Sequence, residues 1–237
     1  MDSLSANISI VKERIAAVAQ RAGRDPAEIM LVAVTKMQPA EVVRAAAGAG
    51  LTNFGENRIE EAAPKMAAVS RADVRWHMIG HVQSRKAREV ARAGFALAHS
   101  VDSFKLAERL SRCAMEVGHV QPVLLECNVS GETAKSGFAA GGSRAQWEAL
   151  LPEWAKILAL PGVRVLGLMT MAPIVRTSEA ARPFFQRLRE LRDHARARLP
   201  QGDWRELSMG MTDDFEAAIP EGATLVRLGR AIFGERR

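Results

Sequence analysis

The chain has 237 residues, of which 48% are hydrophobic and 25% charged, a balance typical of a globular protein rather than a disordered one. Its only cysteines, Cys113 and Cys127, exclude a disulfide scaffold and a cysteine-rich metal site. The net charge of +6 raises the option of nucleic-acid binding. However, Glu190 and Asp193 interrupt the arginines between positions 182 and 198, so we interpret these arginines as a solvated helix face rather than a surface for RNA or an acidic partner.

The chain begins with an amphipathic pattern that predicts an N-terminal helix ending near Gly23. Its apolar positions are Leu4, Ile8, Val11, Ile15 and Val18. The sequence contains neither the apolar core of a signal peptide nor an apolar stretch of 18 residues. We therefore expect a cytoplasmic protein without a membrane partner.

After this helix, short apolar runs typical of buried strands alternate with helical patterns. Strands are predicted at 29–35, 51–54, 74–79, 95–101, 122–129, 163–169, 204–208 and 224–228. Helices are predicted at 39–47, 59–69, 84–93, 104–117, 144–160, 178–199 and 215–219. Strict alternation indicates a parallel sheet, and eight units favour a closed (β/α)₈ TIM barrel, with the first helix as an addition. An open doubly wound sheet is the alternative. Because no linker composition separates the elements, we expect one domain over residues 1–237.

Lys36 follows the first predicted strand, at the carboxyl end where α/β proteins bind ligands. Partial desolvation of a lysine there favours the neutral amine, which can form an imine with an aldehyde such as pyridoxal phosphate. The simpler interpretation is that Lys36 ends the strand and extends into water.

Other polar residues follow the strands and would share one barrel mouth with Lys36. They include Asn57, His77, His81, His99, Asp102, Asn128, Ser130, Thr170, Ser208 and Arg227. Two glycine turns, Ser208-Met209-Gly210 and Gly229-Arg230, follow the seventh and eighth strands, where barrels commonly hold a phosphate. The alternative is ordinary turn chemistry, with Asp213 and Glu216 as a capping box. Asp213 and Asp214 would repel a phosphate unless they turn outward.

Arg227 lies inside the apolar run Leu225-Val226-Arg227-Leu228, so its guanidinium needs a partner or a wet cavity. One solution is to face a pyridine nitrogen, where a fixed cation would disfavour protonation of the ring. The other is a salt bridge to an acidic residue such as Glu56.

Two further site classes find no support in the sequence. His77 and His81 are four residues apart but straddle a strand end and Gly80, so they do not share a helical face, and we expect no metal site. Neither Ser100 nor Ser130 lies in a GxSxG elbow, so a serine hydrolase is not indicated.

Several motifs together resemble the YggS/PROSC family of pyridoxal phosphate homeostasis proteins, in order and over nearly the whole chain. They are Ala33-Val34-Thr35-Lys36, Phe54-Gly55-Glu56-Asn57, Trp76-His77-Met78-Ile79-Gly80, Val82-Gln83-Ser84, His99-Ser100-Val101-Asp102, Asn128-Val129-Ser130-Gly131-Glu132, Lys135-Ser136-Gly137, Gly167-Leu168-Met169-Thr170-Met171, Leu207-Ser208-Met209-Gly210-Met211, Asp214-Phe215-Glu216-Ala217-Ala218-Ile219, Val226-Arg227-Leu228-Gly229 and Ala231-Ile232-Phe233-Gly234.

The resemblance implies a barrel like the N-terminal domain of alanine racemase, holding pyridoxal 5'-phosphate as an internal imine on Lys36. It also implies that Arg227 faces the pyridine nitrogen and that Asn57 lines the ring. The phosphate would be held by Ser208, Gly210, Gly229 and Arg230, mostly through backbone N–H groups. The implied function is cofactor homeostasis as a monomeric carrier or buffer without substantial catalysis, with pyridoxal phosphate-dependent apo-enzymes as partners. The alternative is a pyridoxal phosphate-dependent amino-acid racemase or related enzyme.

The chain departs from the family pattern at Arg58, Arg85 and Arg230, where relatives often carry tyrosine, asparagine and a small or polar residue. A backbone contact at 230 survives such a change, whereas a side-chain contact does not follow from the resemblance. The chain also contains no tyrosine, the residue that racemases of the related barrel use as the second proton-transfer base. This supports the non-catalytic interpretation, although His77 or His81 could replace a tyrosine.

Overall fold

The computed structural model describes residues 2–235, in which parallel strands and helices alternate. The barrel strands are β1 (Met30–Val34), β2 (Asn53–Glu56), β3 (Arg75–Met78), β4 (Leu97–Val101), β5 (Gln121–Asn128), β7 (Val163–Met169), β8 (Glu206–Ser208) and β9 (Leu225–Leu228). The helices are α1 (Asp2–Arg21), α2 (Ala40–Gly48), α3 (Ile59–Val69), α4 (Ala87–Ala93), α5 (Phe104–Glu116), α6 (Arg144–Leu158), α7 (Ser178–Arg198), α8 (Phe215–Ala218) and α9 (Arg230–Phe233).

The eight barrel strands form a closed parallel ring. Strand β1 pairs with β2 on one side and with β9 on the other, and Val32 lies opposite Arg227 in the β1–β9 register. The ring closes where β4 pairs with β5. The predicted TIM barrel is therefore confirmed, and the open sheet is wrong. Closure leaves no barrel edge and brings the carboxyl ends of all eight strands to one mouth.

Two hydrophobic clusters show which face of each strand points into the barrel. A small cluster, formed almost wholly by strand residues, fills the interior: Val32, Ile79, Leu97, Leu124, Leu166, Met169 and Leu225. A much larger one packs the outer strand faces against the helices. Because side chains alternate along a strand, Arg227 shares the inward face with Leu225, and Glu126 shares it with Leu124. Charged side chains therefore enter the barrel from two strands.

The additional helix α1 is present and packs on the last helices of the chain. Asn7 Nδ2 donates to Ile232 O at 3.1 Å, and the Arg14 guanidinium lies 4.9 Å from the Phe215 ring centroid. Within residues 2–235, no helix combines the length and the apolar character needed to cross a membrane.

Among the short features that differ from the sequence predictions, three lie in the barrel units that follow β1. The segment Ser84–Lys86 forms a 3₁₀ turn before α4, rather than the first turn of one helix. The strand β6 (Phe138–Ala139) pairs with the end of β5 outside the barrel, where the sequence indicated a loop from Ala139 onward. Helix α9 was not predicted. All three are too short for periodicity to reveal them.

Gly167 occupies a bulge in β7. Val123 of β5 pairs with Val165 and Leu124 with Gly167, so Leu166 is the additional residue. The bulge lets both Leu166 and Met169 face the barrel interior. The Gly167 φ is +153°, and a Cβ there would lie 1.9 Å from Glu206 O in β8. Only glycine fits this position without moving the neighbouring backbone.

We expect Gly167→Ala to lower the free energy of unfolding by about 3 kcal/mol or more, through backbone strain and the clash with β8. Urea unfolding measures this loss. Gly48→Ala at the end of α2 is the matched control, because no heavy atom lies within 4 Å of its Cβ position. The control should be neutral or stabilising by about 0.5 kcal/mol. Equal effects at the two positions would contradict the bulge geometry.

Candidate functional site

Lys36 lies two residues beyond β1, at the barrel mouth, and is partly buried. Its position continues the alternation of Met30 and Val34, which pack against the interior cluster. The turn after it places Met37 at a φ of +64°, and the Met37 N–H donates to the Glu61 carboxylate. Strand β1 therefore leads directly to Lys36 at the barrel mouth.

A buried ion cluster anchors the residues on either side of Lys36. The Lys65 ammonium donates to Thr35 O at 2.8 Å, to Glu56 Oε1 at 2.6 Å and to Glu61 Oε1 at 2.8 Å. Burial raises the pKa of Glu56, while its bonds to Lys65 and Thr35 oppose that rise. Because Glu56 is paired with Lys65, the suggested salt bridge between Glu56 and Arg227 is wrong.

Arg227 is a buried cation at the mouth, with only 5% of its surface exposed. Its Nη1 donates to Ser208 Oγ at 2.5 Å and its Nη2 to Thr170 O at 2.8 Å. Burial lowers the pKa of Arg227 to about 10, while Asp214 and Glu126 act to raise it. The guanidinium is thus charged at neutral pH, and both of these acceptors are neutral.

Two buried histidines continue from Ser208 across the barrel. His99 Nδ1 lies 2.8 Å from Ser208 Oγ, and His99 Nε2 lies 3.0 Å from His77 Nδ1. His77 Nε2 in turn lies 3.1 Å from Asn53 Oδ1. Burial lowers the pKa of His77 to about 4 and that of His99 well below its usual range, with Arg75 contributing at His77 and both His77 and Arg227 at His99. Both rings are therefore neutral at neutral pH.

The sequence offered His77 only as a substitute for a tyrosine base and gave His99 no role. The contact between Ser208 and His99 depends on barrel closure, since these residues are 109 positions apart and their strands, β8 and β4, are not neighbours. No local spacing signals such a contact.

The two predicted glycine turns follow β8 and β9, and the Arg227 N–H of β9 donates to Gly210 O at 2.9 Å. Gly210 has a φ of +94°, and a Cβ there would lie 2.8 Å from Ala218 Cβ. A Cβ on Gly229 would lie 3.4 Å from Val34 O, two residues before Lys36. Gly229 therefore lies close to the end of the strand that precedes Lys36. Gly229 is also the N-cap of α9, and its carbonyl accepts from the N–H groups of Ile232 and Phe233, so the first two helical N–H groups, of Arg230 and Ala231, have no acceptor within the helix.

The acidic residues beside these turns take different orientations. Asp213 is exposed and pairs with the Arg230 guanidinium, which also contacts Glu235. Asp214 is buried and accepts from Met211 N–H at 2.6 Å; burial raises its pKa. The predicted capping box is wrong, since Glu216 pairs with Arg14. Asp213 therefore turns outward, and the Arg230 side chain pairs with carboxylates. Asp214 does not turn outward, since it is buried beside the Gly210 turn.

Asn57 lies at the mouth and lines a pocket of about 630 Å³. Gly80 packs tightly on it, because a Cβ on Gly80 would lie 2.3 Å from Asn57 O. Both Arg58 and Arg85 line this pocket with exposed side chains. Two of the three departures from the family pattern therefore border the same surface.

Sequence reasoning missed Glu126, which enters the barrel from β5. It is 3% exposed, and burial raises its pKa to about 7, with Asp102 adding to that rise. Asp102 itself lies 3.2 Å from His81 Nδ1 at the mouth. A glutamate inside the apolar run of β5 was a usable signal, of the same kind that identified Arg227. In residues 2–235, no cluster of three or more His, Cys, Asp or Glu residues could hold a metal ion.

The family model for the alanine racemase N-terminal domain matches residues 6–237. The chain is 44% identical to a pyridoxal phosphate homeostasis protein of Pseudomonas aeruginosa, covering 100% of this chain and 97% of that protein. It is 41% identical to one of Aquifex aeolicus, covering 97% of each. Among solved structures it resembles Synechococcus elongatus PipY with bound PLP, at 36% identity and a TM-score of 0.79, over 94% of this chain and 100% of that one.

We expect Glu126→Gln to gain stability relative to the wild type as pH rises. The folded pKa of Glu126 is about 7 against 4.5, so its favourable contribution is complete below pH 4.5 and is lost as pH rises through 7. The difference in unfolding free energy should change by up to about 3 kcal/mol over this window. Urea unfolding between pH 5 and 8 measures it, with exposed Glu190→Gln controlling for the loss of one charge. A difference that does not vary with pH would contradict the assignment.

Proposed function

Because the chain belongs to the family of pyridoxal phosphate homeostasis proteins, which has the alanine racemase N-terminal domain fold, we propose that it binds pyridoxal 5'-phosphate at the barrel mouth and acts as a carrier of this cofactor. The observation that carries the proposal is that a partly buried lysine, Lys36, and a buried, charged arginine, Arg227, lie at the same barrel mouth. A relative of the same family, PipY, has been solved with PLP bound.

The residues at the mouth fit the chemical groups of this cofactor. Lys36 supplies the amine that would hold the aldehyde carbon covalently, and Arg227 supplies a cation for the ring nitrogen. Asn57 would line the ring. The backbone N–H groups of the turns at Gly210, Gly229 and Arg230 would hold the phosphate. Bound pyridoxal phosphate supplies a reactive aldehyde that condenses reversibly with amines.

Two features of this chain favour a carrier over a catalyst. The sequence contains no tyrosine, so a tyrosine base opposite Lys36 is impossible. In addition, the Arg227 charge is held by neutral acceptors and opposes protonation of a nearby ring nitrogen, which weakens the cofactor as an electron sink. In this proposal the chain acts as a single-domain monomer in the cytoplasm and delivers the cofactor to apo-enzymes that depend on it.

We expect the purified protein to show the absorbance band of a lysine-bound cofactor, and Lys36→Ala to abolish it, since the covalent partner of the aldehyde is removed. Borohydride reduction followed by peptide mapping should place the label on Lys36. Lys156→Ala, an exposed lysine on α6, is the matched control and should retain both the band and the label. Label on another lysine, or a wild type that takes up no added cofactor, would refute the proposal.

A second candidate is an enzyme that moves the α-proton of amino acids. It is favoured by Glu126, whose pKa of about 7 suits proton exchange near neutrality, and by the His81–Asp102 pair at the same mouth.

The two candidates differ in solvent exchange of substrate protons. For a carrier, we expect no exchange of the α-proton with deuterium over a broad amino-acid panel, measured by NMR with the loaded protein. Exchange that exceeds that of free pyridoxal phosphate and is lost in Glu126→Gln would instead support the enzyme.

A further inference from the structure

A chain of hydrogen bonds crosses the barrel interior from one end to the other. It starts at Asn53, the partly exposed first residue of β2, and passes through His77 and His99 to Ser208, the last residue of β8. It ends on the guanidinium of Arg227. The three links before the arginine measure 3.1, 3.0 and 2.8 Å. Each interior member is less than a tenth exposed.

The direction of the chain follows from the Asn53 amide. Its Nδ2 donates to Thr52 Oγ1 at 3.1 Å, so Oδ1 faces His77 and must accept from Nε2–H. A neutral His77 then accepts at Nδ1 from His99 Nε2–H. A neutral His99 accepts at Nδ1 from the Ser208 hydroxyl, and the Ser208 oxygen accepts from Arg227. Every donor meets one acceptor.

Building on the proposed function, we propose that His99 and His77 are positioning residues for the cofactor site. Through Ser208, they hold the Arg227 guanidinium in the orientation that faces the ring of bound pyridoxal phosphate. In this arrangement, the single proton of the Ser208 hydroxyl is used by His99. Ser208 therefore supports Arg227 through its side chain, rather than donating a hydrogen bond to the phosphate.

Only neutral histidines can orient Arg227 in this way, because a charged His99 could not accept the Ser208 proton. A protonated His99 would donate from both nitrogens, so it could not accept from Ser208, and it would add a positive charge close to Arg227. A carboxylate in the place of Ser208 would hold Arg227 more tightly but would cancel its charge at the mouth. A neutral chain orients the guanidinium and leaves its full charge available to a ligand.

The first test uses the protein without added cofactor and so does not depend on the proposed function. In ¹⁵N NMR spectra, both His77 and His99 should be neutral from pH 6 to 8, with the proton on Nε2 in each ring. His77→Gln and His99→Gln assign the signals. A proton on Nδ1 of either ring, or titration within this range, would overturn the proposal.

The second test uses the loaded protein. His99→Leu removes the acceptor for the Ser208 hydroxyl. We expect the dissociation constant of the cofactor to rise about ten-fold. The pH profile of the bound cofactor's absorbance should also shift, so that the cofactor loses its proton at a higher pH than in the wild type. The reason is that a displaced Arg227 opposes protonation of the cofactor less. A purely structural role would lower the melting temperature without moving this profile. His99→Gln can accept from Ser208 and donate to His77, so it should restore the wild-type profile.

Asn53→Leu, at the partly exposed end, provides a milder break if His99→Leu does not fold, and should move the profile in the same direction. If folded variants that break the chain leave both affinity and profile unchanged, the proposal is wrong.

The third test separates the two roles of Ser208. If Ser208 acts through Arg227, Ser208→Ala should weaken pyridoxal and pyridoxal phosphate binding by the same factor, since both contain the ring nitrogen. A loss confined to pyridoxal phosphate would show a phosphate contact and overturn the assignment. A wild type that binds neither compound would refute the proposed function while leaving the NMR result standing.

Discussion

The burial of the Arg227 charge is the constraint on which this site depends. A guanidinium removed from water must find acceptors inside the barrel, or its desolvation remains uncompensated. Ser208 Oγ and Thr170 O meet that need, one from β8 and one from the residue after β7. The Ser208 hydroxyl is in turn engaged with His99, so burying one cation organises polar groups from several strands. Arg227 pairs in register with Val32 of β1, which links this arrangement directly to the strand that precedes Lys36.

Two buried cations near this mouth are compensated in different ways. Lys65 contacts the carboxylates of Glu56 and Glu61, so its charge is neutralised where it lies and it serves to hold the backbone on both sides of Lys36. Arg227 contacts neutral oxygens, and its charge is balanced only at longer range by Glu126 and Asp214. Of these two cations, Arg227 therefore keeps more of its charge available to a ligand.

Sequence reasoning located all eight barrel strands, because most of them are short runs rich in apolar residues that alternate with helical patterns. The boundaries were less accurate: β2 (Asn53–Glu56) ends two residues beyond the predicted 51–54 and contains a single large apolar residue, Phe54. Sequence reasoning failed for β6, whose two residues pair with Cys127 and Asn128 and carry no pattern of their own. Within the site, the positions of Lys36 and Arg227 at the carboxyl ends of the first and last predicted strands were the basis for expecting both at one mouth. The partners of those residues were beyond prediction, since Ser208, His99 and His77 meet only when the ring of strands closes.

The error over Glu56 shows why a buried charge cannot be paired from sequence alone. Arg227 and Glu56 are both buried residues of neighbouring parts of the barrel, and the simplest rule joins opposite charges. Glu56, however, follows Gly55, which faces the barrel interior, because a Cβ on Gly55 would contact Val32 and Ile79. Side chains alternate along the strand, so Glu56 faces the other way. Its side chain therefore leaves the barrel on the outer face, where α3 presents Lys65. The alternation of side chains along the strands thus places Glu56 and Arg227 on opposite faces of the sheet, and each charge has separate partners. For Arg227, those partners include the neutral hydrogen-bonded chain of Ser208, His99 and His77.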